Sequence, residues 1–297
     1  TGRLLVGNAR NRPDRAHRQS NLLSRQAWSR SEEGDMIALS VFDLVLAASL
    51  VVALALTSAR IYPGLARQLL IAGLRTVIQL TLIGLVLKTL FANSHLLWVG
   101  LLSVLMLAVA GREVMTRQHR RFSGRWGYGI GVVSMFVSSF TVALFALVVV
   151  VGNEPWYQPQ YAIPLLGMLL GNTMNGIALA LDRLTQSAWE QRGVIEARLM
   201  LGYSAQDAVS GIRQQVFRSG LIPIINAMAA AGIVSLPGMM TGQILAGAEP
   251  VEAVKYQILI MFLITAGAGF GTLAAVHLGV RRLFDERQRL RLDRLQR

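Results

Sequence analysis

The chain has no cysteine and four histidines, and its 16 acidic residues are outnumbered by 29 lysines and arginines. Without cysteine there is no disulfide, no thiolate metal site and no cysteine nucleophile. His17, His95, His119 and His277 stand singly, in the N-terminal segment, a loop or span ends, so a histidine-built metal centre is not expected. The zinc-peptidase string H-E-x-x-H is absent, and so is the phosphate-cradling G-x-x-x-x-G-K-[ST] loop. This polypeptide therefore cannot hydrolyse ATP alone. Charged residues make up 15% of the chain, against about 25% in an ordinary soluble domain.

Apolar residues are abundant instead: 53% of the chain is hydrophobic and the mean hydropathy is +0.48. They gather into runs of about twenty, each enough to cross a ~30 Å hydrocarbon core as a helix. A lone strand cannot satisfy its backbone in lipid, so the spans must be helices. The fold expected is an all-α integral membrane bundle of about seven transmembrane helices. They lie near 37–58, 68–91, 95–110, 128–151, 162–182, 221–246 and 256–280. A net charge of +13 on a soluble chain would suggest nucleic acid. Here the basic residues flank apolar spans, so they set membrane orientation and no nucleic-acid partner is expected.

Arg112, Arg117, Arg120, Arg121 and Arg125 crowd one loop with a single acid, Glu113, which puts that loop in the cytoplasm. Alternation then places Arg60 and Arg67, the segment 183–220 and the Arg-rich tail inside as well. The protein is read as multi-pass in a bacterial inner membrane, N-out and C-in. Three regions follow: an extension 1–35, disordered or non-native and ending before Met36; a permease domain 36–282; and a basic cytoplasmic tail 283–297. The seven arginines of the extension break the charge rule in this orientation. The extension lacks the apolar core of a signal peptide.

The segment 183–220 reads as amphipathic helix. Within it, Glu196 and Ala197 are followed by Gly202 and then, nine residues on, by Ile212. E-A-x4-G-x9-I resembles the cytoplasmic coupling loop of ABC-transporter permease subunits, although the usual Leu-Pro is displaced to Leu221-Ile222-Pro223. Its physical sense is a short helix, a glycine turn and a second helix that docks on a separate ATPase. A lipid-surface helix is the alternative.

Three further strings bear on this choice: Ile163-Pro164-Leu165-Leu166-Gly167-Met168, Gly171-Asn172-Thr173-Met174, and Val234-Ser235-Leu236-Pro237-Gly238-Met239-Met240-Thr241-Gly242. With Pro250, Tyr256-Gln257 and Arg75-Gln79, they resemble the permease family that includes FetB-type bacterial iron exporters and plant aluminium-sensitivity membrane proteins. The resemblance covers about Met36 to Arg282. It implies an ABC permease paired with a separate ATPase that binds ATP and Mg, so no cofactor belongs to this chain. Iron export is implied by the bacterial members and UDP-glucose by a plant complex, so the cargo stays open. The working assembly is read as a permease homodimer in membrane lipid with two ATPase copies. A secondary carrier or channel is the rival, but inverted repeats and a mid-membrane acid are not found.

Candidates for a substrate path follow from cost. Pro237 and Gly238 should break or kink the 221–246 span and free carbonyls, with Met239, Met240 and Gln243 around the break. Asn172 and Asn175, with Met168 and Met174, place amides and thioethers at membrane depth, where packing glue is the competing role. Asp43 is the nearest intramembrane acid, and Arg75, with Gln79 one turn later, can partly snorkel or pair with a carboxylate across the bundle. Thioethers favour Cu(I) over Fe(II), so the metal ligands are not set. Gly267, Gly269 and Gly271 should permit close helix packing, at a homodimer interface or as a gate.

Overall fold

The computed structural model describes residues 40–92, 95–152 and 154–296. The expected extension 1–35 and Met36 lie outside them. Helix α1 (Val41–Ala59) starts from a capping box in which Ser40 accepts from the Asp43 amide and Asp43 accepts from Ser40. Then come α2 (Pro63–Ala92), α3 (Leu96–Thr116), a short strand β1 (Arg121–Phe122) and α4 (Arg125–Val151). Two π-helical stretches, Phe136–Phe140 and Ala146–Val151, interrupt α4. Helix α5 is Pro159–Glu190, α6 Arg192–Met200, α7 Ala205–Ala208, α8 Ser210–Ala230, α9 Gly238–Leu245 and α10 Pro250–Leu283. A strand β2 (Leu295–Gln296) ends the described chain and pairs antiparallel with β1.

Among the described residues six helices, α1 to α5 and α10, are long and apolar enough to cross a membrane. The chain is thus an all-α polytopic membrane protein. The expected span 221–246 is broken into two pieces. Helix α8 stops at Ala230, the chain turns through Gly232 at φ 81°, and α9 begins after Pro237. The break lies ahead of Pro237-Gly238 rather than on it. Proline restricts the residue before it to extended backbone and has no N–H of its own. Pro237 accordingly stands at the N-cap with ψ 140°, and its carbonyl accepts from the Thr241 amide.

The described residues divide into two compact units, one of 40–70 with 237–256 and the other of 71–236 with 257–296. In the larger unit, small residues let α5, α8 and α10 approach closely. A methyl added at Gly220 would lie 2.7 Å from Thr272 Cγ2, 2.9 Å from the Gly176 carbonyl oxygen and 3.1 Å from Ala180 Cβ. Further along, Thr265 on α10 meets Met228 on α8, its hydroxyl 3.2 Å from the sulfur, so these two helices run antiparallel. Gly271 packs against Thr173 and Ser138, and Gly267 against Leu169. The glycine-rich stretch of α10 therefore serves contacts within the chain at two of its three positions. Gly269 faces open space.

Gly220→Ala should cost about 1–3 kcal/mol by overpacking, whereas Gly269→Ala should be neutral or slightly stabilising. Thermal unfolding of detergent-solubilised protein checks the pair, and equal midpoints would remove Gly220 from the tight contact.

Candidate functional site

The segment between α5 and α8 forms the helix, turn and helix that its spacing predicts. Helix α6 ends in a turn where Gly202 takes φ 88°, a conformation that L side chains rarely adopt. Ser204 then caps α7, accepting from the Asp207 amide at 3.2 Å. Arg198 Nη1 donates to the Ala208 carbonyl at 3.2 Å and ties the two arms together. Ile195, Ala208, Val209 and Val216 are buried at the base. Glu196 and Ala197 are exposed, and the tip is apolar: Met200 is 83% exposed, Leu201 77% and Tyr203 54%. Ile212, expected on the coupling face, is instead buried behind it because it faces inward from the first turns of α8. Sequence reasoning missed Met200, Leu201 and Tyr203, because Val194, Ile195, Leu199 and Val209 share the segment and the sequence does not say which of them are buried.

A polar seam links three helices of the larger unit. Arg75 on α2 pairs with Glu113 on α3, a carboxylate across the bundle. Arg117, one turn after Glu113, lies 3.9 Å from its other oxygen and donates from Nη1 to Asn175 Oδ1 on α5 at 2.6 Å. Glu113 thus faces two guanidiniums at once, which reduces the cost of holding charge near an apolar medium. Arg75 and Asn175 are the two path candidates that the structure joins. Asn172 and Asn175 are exposed, Asn172 spending its amide on the Met168 carbonyl at 2.8 Å, while Met168 and Met174 are half-buried. Gln79 is exposed on α2, one turn from Arg75. Glu113 and Arg117 read as loop charges in the sequence, whereas α3 continues to Thr116, which makes Glu113 helical and Arg117 the C-cap.

The remaining path candidates belong to the smaller unit. Asp43 completes the α1 capping box, with Ser40 N and Oγ each 2.8 Å from its carboxylate. Pro237 and Gly238 start α9, Met240 is buried and Met239 half-buried. Gln243 Oε1 is buried without a hydrogen-bond partner, an expensive state for an amide oxygen. Among the described residues no three His, Asp or Glu side chains come together as a metal centre.

The basic segments bond to one another. The His119 amide donates to Asp182 Oδ1 at 2.7 Å, and Thr185 donates to the Arg120 carbonyl at 2.7 Å. Asp182 therefore anchors the preceding loop. The guanidinium of Arg120 lies 4.1 Å from the centre of the Trp189 ring. The expected tail folds back: Gln288 Oε1 accepts from the Ala205 amide at 2.8 Å, and β2 pairs with β1. A cleft of about 710 Å³ lies between the turn and the tail, lined by Glu196, Gly202, Tyr203 and residues 286–290. The Arg289 amide holds the Asp285 carboxyl below its ordinary range, and the Arg291 fork brings Asp293 down to about 2.

Removing Glu113 should leave two guanidiniums without their shared carboxylate. In a double-mutant cycle, Arg75→Ala and Glu113→Ala should couple by about 0.5–3 kcal/mol. Additive losses in thermal stability, measured on the reconstituted protein, would show that the seam carries no energy.

The comparisons with known proteins agree with this architecture. The family model described as "Uncharacterised protein family (UPF0014)" matches residues 41–284. A UPF0014 membrane protein of Synechocystis sp. is 40% identical over 223 residues, covering 75% of this chain and 85% of its own. The "Probable iron export permease protein FetB" of Escherichia coli is 30% identical over 258 residues, covering 85% and 95%. The "Protein ALUMINUM SENSITIVE 3" of Arabidopsis thaliana is 30% identical over 207 residues, covering 69% and 72%. No solved structure matches the chain significantly. With a family match across nearly all the described residues and relatives of similar length, the chain belongs to the UPF0014 family of membrane proteins.

Proposed function

We propose that the chain is the membrane-spanning permease subunit of an ABC transporter. It works as a homodimer with two copies of a separate ATPase, which binds ATP and Mg, and it exports a metal ion such as iron. The observation that carries this reading is the exposed apolar tip Met200-Leu201-Gly202-Tyr203 on a braced helical hairpin. Such a tip is costly in water and suits a cleft on a partner protein. Binding of ATP would draw the ATPases together, push the two hairpins, and rock the helices between inward and outward access. Iron as cargo rests on the name of the Escherichia coli relative.

An N-out, C-in orientation in the bacterial plasma membrane has independent support. Three basic segments that charge alternation puts inside are hydrogen-bonded to one another: 117–122 with 182–185, 121–123 with 294–296, and 205 with 288. Helix α8 leaves that side antiparallel to α10, which returns to it. At ~1.5 Å per residue its 21 residues extend about 31 Å, so α8 supplies a further crossing despite Arg213 and Arg218. That gives an odd number of crossings, as the orientation needs.

The cargo path is assigned to Asn172, Asn175, Met168, Met174, Arg75 and Gln79 in the larger unit. In the smaller unit it is assigned to Pro237, Gly238, Met239, Met240, Gln243 and Asp43. The unpartnered Gln243 oxygen supports a polar role for α9.

Two outcomes test the proposal. Gly202→Val, which forces a β-branched residue into φ 88°, and Glu196→Lys should each abolish co-purification of the ATPase or its stimulation by cargo. The permease should stay folded, with the melting temperature unchanged in Glu196→Lys and lowered only by the local strain in Gly202→Val, and normal coupled transport by both variants would refute the docking assignment. Met239→Ala with Met240→Ala should shift the Fe(II) concentration that half-stimulates ATP hydrolysis. An unchanged concentration dependence would return these methionines to packing.

A further inference from the structure

Below the tight crossing of Gly220 and Thr272, helices α8 and α10 diverge and leave a groove between them. Two cavities, of about 610 and 360 Å³, occupy it and share Arg213 and His277 in their walls. The first is apolar, with Phe217 from α8 and Phe270 and Leu273 from α10. The second, toward the end of α10, adds Arg281 and Gln206. On α10 the lining residues 270, 273, 274, 277 and 281 follow helical spacing and share one face. The rise from Phe270 to Arg281 is about 16 Å at ~1.5 Å per residue. One end of the groove is hydrocarbon-like and the other cationic.

Among the described residues neither Arg213 nor Arg281 makes an ion pair, although carboxylates line the outer cavity with them. Two acids line the outer cavity: Asp285 is engaged by Arg289 and Arg291, and Glu286 is exposed. A ligand that fits carries an anionic head on an apolar chain more than ten ångströms long. A soluble anion would leave Phe217, Phe270 and Leu273 facing the groove uncovered.

We propose that this groove binds an anionic phospholipid, with its phosphate among Arg213, His277 and Arg281 and an acyl chain along Phe217, Phe270 and Leu273. Basic residues at the surface of a leaflet draw anionic headgroups, and here the groove fixes one of them in place. The lipid then wedges the divergent ends of α8 and α10, next to the hairpin that begins α8. The inference rests on the chain crossing the membrane and not on the ATPase partnership, so loss of lipid and loss of coupling are read separately.

The test is native mass spectrometry of the full chain in detergent, titrated with phosphatidylglycerol or phosphatidylcholine. Phosphatidylglycerol should be retained preferentially. The preference should fall about tenfold or more in Arg213→Gln with Arg281→Gln and survive in the double lysine variant. Leu273→Trp, which fills the apolar end, should also lose the lipid, and it decides the matter if the glutamine variant does not fold. Equal retention of both lipids, or an undiminished preference in the variant that folds, overturns the site. So does displacement of the lipid by glycerol phosphate at matched concentration, which would make the groove a soluble-anion site. Because the chain has no cysteine, Leu273→Cys gives a final arm. Its oxidation to a disulfide-linked dimer would show that a second copy covers this face, and a persistent monomer would leave the face to lipid.

Discussion

The arrangement of the larger unit depends on the contact where α5, α8 and α10 meet at Gly176, Gly220 and Thr272. Lipid offers no hydrophobic drive between helices, so association must come from close van der Waals fit and from polar groups that find partners. Glycine supplies the fit: methyls at Gly176 or Gly220 would press on the opposing backbone within about 3.0 Å. With α8 pinned there, its first turns carry Ile212 and Val216 into the buried base and leave the α6 tip outward. The same pin fixes where α8 and α10 part and hence where the basic groove opens.

The arginines do more than orient the chain. Arg117 reaches Asn175, Arg120 stacks on Trp189, Arg294 donates to the carbonyls of Arg282 and Phe284, and Arg289 closes the turn at Asp285. Guanidinium suits these tasks because its planar fork satisfies carbonyls and carboxylates while its face rests on an aromatic ring. A basic end that a charge rule reads only as topology is therefore also a scaffold, joining the 117–122 loop, the hairpin and the tail.

Much of this was legible in the sequence, and the misreadings have physical causes. Long apolar runs announce helices in any context, and Gly202 marks its turn because few other residues accept a positive φ. The end of α3 was misjudged because Arg112 and Glu113 looked like loop charges. Nothing breaks the helix before Thr116, and the partner of Glu113 lies 38 residues away on another helix. Ile212 of the expected motif is buried, which spacing alone does not show because it does not say which side of an amphipathic helix faces in. Asp43 also closes the capping box with Ser40, a local bond that the sequence shows only once the start of α1 is known. The folded tail was out of reach, since its pairing with β1 joins the two ends of a long sequence separation.

In the proposed transporter the hairpin, its brace and α8 would act together as a lever. A push on Met200 and Leu201 meets a tip locked by the Gly202 turn and by Arg198 on Ala208, with Ile195 and Val209 buried beneath. The push cannot dissipate in the loop and passes into α8, which begins one residue after Val209. From there it reaches the glycine crossing, where close-packed backbones leave little room to absorb strain. Packed interfaces of this kind respond by moving between discrete arrangements rather than by bending. The break after Ala230 then has a purpose in the proposed transporter. The chain turns at Gly232 and restarts at Pro237, so the helical hydrogen bonding of α8 ends at Ala230 and does not run on into α9.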